Sequence, residues 1–221
     1  MLHLYDFAPS ANCLKVRILL AHLGLRYERV PVDLFAGETL TPEYLSRNPA
    51  GRAPVLELTD GESLPESNAI LLYLAEGTPF LPTDRLGRAR VHQWLFFEQN
   101  LVEPNIGTAQ FWLQTGRAEQ RPEVFTQKQQ AGRAALEILE RHLAGREFVA
   151  AGAYTVADIS LYAYAHLSDQ AGIELSAFPG VEGWLARVAA QPGFVNDLAP
   201  YPPNAYAGAG DRSVHDPPQP S

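Results

Sequence analysis

The strongest constraint on how this chain can fold is a change of hydrophobic period near residue 78. Before it, apolar residues come in short alternating runs interrupted by helical stretches; beyond it they recur at helical spacing throughout. His3–Phe7 reads as a strand that ends at Ala8-Pro9-Ser10. Val16, Leu19, Leu20 and Leu23 then mark a helix from about Cys13 to Leu23, with Gly24 as its stop. Tyr27–Val32 alternates as a second strand, and strand–helix–strand in this order predicts a parallel pair with a right-handed crossover. Thr41-Pro42-Glu43-Tyr44 predicts a short helix with Thr41 as N-cap and proline in the first position. A strand over Val55–Leu58, a turn at Asp60-Gly61, a very short strand near Ser63-Leu64 and a helix over Ser67–Glu76 complete this half, which Gly77 closes.

Residues 78–86, with Pro79 and Pro82, read as a linker. A helix from about Gly87 carries Val91, Trp94, Leu95 and Leu101, and Pro104 predicts a kink or break in it. A second helix runs from Pro122 to about Leu143. Thr155-Val156-Ala157-Asp158 forms a capping box, read as structural, that opens an apolar helix through Ile159, Leu161, Tyr162 and Leu167. A further helix spans about Val181–Ala190 and stops before Pro192-Gly193. The expected organisation is therefore an α/β domain over 1–77, a linker over 78–86, an all-helical domain over 87–199 and a Pro/Gly-rich tail over 200–221. That tail has little to bury and is expected to be mobile or draped on the surface.

Composition excludes several functions. A net charge of −8 leaves no basic patch for displacing counterions from phosphates, so no nucleic-acid partner is expected. No apolar run approaches the ~18 residues of a membrane span, and the N-terminus lacks a signal-peptide pattern. Cys13 is the sole cysteine, so no intrachain disulfide forms, which fits a cytoplasmic setting. The six histidines lack ligand spacing, so no metal is expected.

The chemistry is carried by Asn48-Pro49-Ala50-Gly51-Arg52-Ala53-Pro54-Val55-Leu56 and, eleven residues after Val55, Glu66-Ser67-Asn68-Ala69-Ile70. A cis X-Pro bond between a loop and a strand leaves the preceding residue's N–H and C=O free for an extended ligand. Glu66 supplies a carboxylate for an amine. The Ser67 hydroxyl, with the free N–H groups of a helix start, accepts a carboxylate. An amine beside a carboxylate on a peptide-like backbone describes the γ-glutamyl-cysteinyl part of glutathione. In order and spacing these segments resemble the glutathione-binding half of the cytosolic glutathione transferases, specifically a bacterial, serine-type member of theta-, zeta- or nu-like character. The resemblance covers nearly everything up to the tail. It implies an N-terminal thioredoxin-like domain followed by an all-helical domain, a homodimer, and a role in detoxification.

Members of this family place the residue that contacts the glutathione sulfur between the first strand and the first helix. A free thiol has a pKa near ~8.5, so conjugation requires a site that stabilises the thiolate. Ser10 lies six residues before Val16, the spacing of the serine in theta-, zeta- and phi-like classes, and is the first candidate. Asn12 occupies roughly the place of the beta-class cysteine, and its amide N–H can donate to sulfur. Cys13 at a helix start is a candidate for a mixed disulfide, as in omega-like relatives. By the same resemblance, Glu66 binds the γ-glutamyl amine and Ser67 the γ-glutamyl carboxylate. Ala53, before the structural Pro54, pairs with the cysteinyl backbone. Arg52 suits the glycyl carboxylate, and Thr39 stands where some members have histidine. Phe7, Phe111 and Trp112 are expected to wall the electrophile pocket.

The expected function is conjugation of glutathione, as co-substrate, to a small hydrophobic electrophile. The rivals are a glutathione-dependent disulfide or peroxide reductase on the same fold, and a non-catalytic binding protein.

Overall fold

A computed structural model describes residues 1–208 of the chain. Four strands, β1 (Leu2–Asp6), β2 (Tyr27–Pro31), β3 (Val55–Glu57) and β4 (Ser63–Pro65), form one mixed sheet in the order β2-β1-β3-β4. β1 runs parallel to β2 with Leu4 opposite Arg29, and antiparallel to β3 with Leu4 opposite Leu56. β3 and β4 form the closing antiparallel pair. Helix α1 (Ala11–His22) makes the β1–β2 crossover, α2 (Pro42–Arg47) follows β2, and α3 (Ser67–Ala75) follows β4. This is the thioredoxin-like arrangement expected from the order of elements. As expected, Thr41 caps α2, its Oγ1 accepting from the Tyr44 N–H at 3.2 Å.

The second domain is helical: α4 (Arg85–Phe97), α5 (Thr108–Gln114), α6 (Pro122–Leu143), α7 (Val156–Ala165) and α8 (Pro179–Ala189). The expected interruption at Pro104 takes a different form. α4 continues into α5 through a π-helical segment, Glu98–Gly107, that contains Pro104. A proline ring collides with the carbonyl one α-turn earlier and brings no N–H to bond it; widening the turn moves that carbonyl aside without ending the helix. The capping box forms as predicted. Buried Asp158 also accepts from the Val149 N–H and from the Trp184 indole, both at 2.9 Å, tying a loop and α8 to the start of α7.

α1 is buried on nearly every side. Val16 and Leu20 pack with Leu4, Leu56 and Ile70 behind the sheet, while Leu14, Ile18 and Leu19 belong to the core of the helical domain. The core of the helical domain therefore extends onto α1 and α3, beside a separate apolar cluster behind the sheet. Two charged residues of α1 are buried too. Lys15 Nζ meets Glu98 Oε2 at 2.8 Å, and Arg17 binds Asp6 at 2.6 Å and Asp197 at 2.7 Å.

The chain after α8 is anchored at several points. Asp197 also pairs with Arg29, and the Ala199 N–H donates to the Ala8 carbonyl. Tyr201 packs among Phe35, Phe111 and Trp112, and Ala205 is fully buried. Asn204 donates to Asp33 at 2.8 Å and the Ala207 N–H donates to the Thr115 carbonyl at 2.9 Å. The start of the expected surface tail is thus a strap with its own apolar anchor; residues 209–221 lie outside the described residues.

Candidate functional site

A cavity of about 470 Å³ opens between the domains. Its floor is the β1–α1 turn. There the Ser10 N–H donates to the Phe7 carbonyl at 2.8 Å, and the Ser10 Oγ accepts from the Cys13 N–H at 3.3 Å as the N-cap of α1. A hydroxyl that accepts from the helix start keeps its own hydrogen for another acceptor, and the helix start adds a positive field. Ser10, Asn12, Arg52 and Ala53 line this side.

The 48–54 loop shows how local sequence builds the wall. Asn48 is buried; its Oδ1 accepts from the Ala50 N–H at 3.0 Å, and its Nδ2 donates to the Arg52 carbonyl at 2.7 Å. The Tyr44 hydroxyl donates to the same carbonyl at 2.9 Å. Gly51 turns with φ +61°, where a Cβ would come within 2.8 Å of the Leu40 side chain. With that carbonyl fixed, Ala53 enters the expected cis bond to Pro54 at the cavity, ahead of the β1–β3 pairing, which begins at Val55. The Arg52 guanidinium has no hydrogen-bonding partner among the described residues and reaches the cavity.

Glu66 precedes α3 with φ +73° and ψ +109°, a strained backbone for a residue with a side chain. No side chain caps α3, so its first N–H groups are open to an anion. Ser67 is buried, and its Oγ donates to Asn12 Oδ1 at 3.0 Å. Asn12 in turn donates to Glu103 at 2.7 Å. Both ends of the Asn12 amide are therefore engaged, one in each domain.

Glu66, Ser67 and Thr39 do not line the cavity; Ser67 reaches its wall through Asn12. Thr39 is buried in a short 3₁₀ turn (Glu38–Leu40), with its carbonyl close beside Gly51 of the 48–54 loop. Cys13 is fully buried among Phe7, Val32, Tyr44 and Val55, and its Sγ accepts from the Phe7 N–H. Burial pushes its thiol up to about 12, the reverse of an activated thiolate. A helix start lowers a thiol pKa only when solvent or a cation also stabilises the charge.

Phe7, Phe111 and Trp112 line the cavity. They belong to a longer aromatic wall: Phe7 lies 5.8 Å from Phe35, Phe35 stacks on Phe111 at 6.0 Å, and Phe111 meets Tyr201 edge-on at 5.2 Å. Sequence reasoning missed Phe35, Tyr201 and Tyr164. Tyr164 lies so close to Gly107 that a Cβ there would sit 2.5 Å from its ring. Only Gly107, at the end of the π-helical segment, carried a local signal for this approach. Two cations were also missed, Arg121 at the N-cap of α6 and Lys128 within that helix.

Among the described residues no group of His, Cys, Asp and Glu could hold a metal ion, and no helix is long and apolar enough to cross a membrane.

Comparison with known proteins shows the family of the chain. Residues 1–76 match the glutathione S-transferase N-terminal domain and residues 122–187 the glutathione S-transferase C-terminal domain. A maize protein named glutathione S-transferase 3 is 33% identical, covering 94% of this chain and 99% of its own. A disulfide-bond oxidoreductase of Escherichia coli is 31% identical over 87% of this chain and 92% of its own. Among solved structures, a possible glutathione S-transferase from Rhodopseudomonas palustris superposes with a TM-score of 0.87 at 45% identity, covering 90% of this chain and 98% of that one. Two matching domains in their proper order, full-length relatives and a superposable structure make this chain a member of the cytosolic glutathione transferase family.

Proposed function

We propose that the protein is a glutathione transferase that activates the glutathione thiol and conjugates it to an apolar electrophile. The carrying observation is the Ser10 hydroxyl, which caps α1 at the cavity floor by accepting from the Cys13 N–H and stands on the same wall as Ala53. In this reading glutathione lies extended along Ala53. Its γ-glutamyl carboxylate meets the open start of α3 and Ser67, its amine meets Glu66, and its glycyl carboxylate meets Arg52. Ser10 donates to the sulfur, and a hydrogen bond to a charged acceptor contributes about 1.5–3 kcal/mol, one to two pKa units of the thiol. The electrophile occupies the aromatic side of the cavity. The working form is a cytoplasmic homodimer.

The E. coli relative's name keeps disulfide reduction as the second reading. Burial of Cys13 argues that such an activity would use bound glutathione alone. Turnover of 1-chloro-2,4-dinitrobenzene against hydroxyethyl disulfide, each with glutathione, separates the two. Conjugation is expected to dominate; disulfide reduction dominating overturns the proposal. Ser67→Ala is expected to weaken glutathione binding by calorimetry, and unchanged affinity removes Ser67 from the site.

A further inference from the structure

The charge lining the cavity runs against that of the chain. The protein carries a net −8, yet the cavity is lined by three cations, Arg52, Arg121 and Lys128, and one acid, Glu103. Glu103 is already engaged: Asn12 donates to its Oε1, Gln99 donates to its Oε2, and Lys15 lies 3.9 Å away. Arg52 is on the glutathione side. Arg121 and Lys128 stand on the other, Arg121 at the N-cap of α6 and Lys128 within the helix.

Neither Arg121 nor Lys128 has an acidic partner among the described residues. The Arg121 guanidinium lies 5.9 Å from the Trp112 ring, and Lys128 makes only a long hydrogen bond, 3.4 Å, to Asn105. The start of α6, at Arg121 and Pro122, has no side-chain cap, so the positive end of a 22-residue helix adds to the same side. Exposed unpaired cations on an open surface are ordinary. Two that line a concave, aromatic-walled cleft raise the potential inside it, because low-dielectric walls focus the field.

We propose that the acceptor taken by this cavity is anionic: an apolar, preferably aromatic, electrophile that bears a carboxylate. Its apolar body rests against Phe35, Phe111, Trp112 and Tyr201, and Arg121 and Lys128 hold its carboxylate. The inference rests on the conjugating reading above and specifies its substrate class.

The test uses 4-chloro-3,5-dinitrobenzoate and its neutral carboxamide, which have similar shapes and differ by one charge. With either probe the glutathione thiolate attacks the chlorine-bearing carbon, a C–S bond forms, and chloride leaves with the C–Cl electron pair. The thiol proton goes to solvent. Each kcat/KM is divided by the uncatalysed rate constant of the same probe with glutathione, which removes the intrinsic difference in reactivity. The acid-to-amide ratio is expected to exceed one. Arg121→Ala and Lys128→Ala should each lower it about two- to fivefold, Arg121→Lys should restore most of the loss, and about 0.5 M salt should compress it. Both side chains are at least partly exposed, so the variants should melt with the parent. A ratio at or below one, or one indifferent to both substitutions and to salt, overturns the inference while leaving conjugation standing. Loss of turnover with both probes sinks conjugation and this inference together.

Discussion

Removing Lys15 should expose how strongly the two domains depend on one buried ion pair. Lys15 and Glu98 are both fully buried, 2.8 Å apart, one on α1 and the other at the start of the π-helical segment. Asn68 and Ser160 also donate to Glu98 Oε2, at 3.1 and 3.0 Å, while Oε1 has no hydrogen-bond partner. In Lys15→Met the carboxylate keeps these neutral donors but loses its cation, and breaking a buried pair from one side costs about 3–5 kcal/mol. Glu98→Leu strands a cation that retains the more distant Glu103 and the Tyr164 ring, 5.1 Å from Nζ, so its cost should be about 2–4 kcal/mol.

The double variant leaves neither charge buried and should cost about 2–3 kcal/mol less than the sum of the singles. Burial already holds the Glu98 carboxyl above its ordinary range, with Lys15 the largest opposing influence. Without Lys15 the native pKa rises further above the unfolded one. The stability from the bound proton is then full below the unfolded pKa and is lost as pH rises through the native one. The Lys15→Met deficit should therefore be larger at neutral pH than near pH ~4.3. Urea unfolding of the parent, both singles and the double gives the cycle. Additive costs, or a deficit that does not grow with pH, would refute the reasoning.

Ser10→Ala should raise the apparent pKa of bound glutathione thiol by one to two units and lower conjugation at neutral pH about tenfold or more; an unmoved pH–rate profile excludes Ser10 as the activator. Cys13→Ala should cost about 1–2 kcal/mol through the cavity it leaves and keep glutathione-dependent turnover. In the parent, native Cys13 should resist alkylation at pH ~8.5, and rapid labelling would contradict its burial. Asp158 is pushed up to about 6 by burial, against hydrogen bonds that pull it down. Because its unfolded pKa is near ~3.9, its proton stabilises the native state below that value and is lost as pH rises through about 6. The stability difference between the parent and Asp158→Asn should thus fall over that window and then level; a flat or rising difference refutes the assignment.

What the sequence determined was whatever depends on near neighbours along the chain. The β1–α1–β2 order, the Thr41 and Thr155 caps, and the turn that brings Ala53 to Pro54 each rest on residues a few positions apart, whose chemistry is readable without the fold. What only the tertiary structure decided are contacts between distant segments. Lys15 and Glu98 are 83 residues apart, and α1, buried on almost every side, shows no polar face that would announce them. Cys13 sits at a helix start, but the packing of Phe7, Tyr44 and Val55 around it seals the thiol from solvent, and burial pushes its pKa up. The chain after Pro200 has little to bury by its sequence, which leaves a mobile and a surface-draped segment equally open. Tyr201 anchors it, because Phe35, Phe111 and Trp112 converge from two domains to receive it, and Asn204, Ala205 and Ala207 add further contacts. Arg121 before a polar helix and Lys128 within it look like ordinary exposed cations; only the tertiary structure brings both to the cavity.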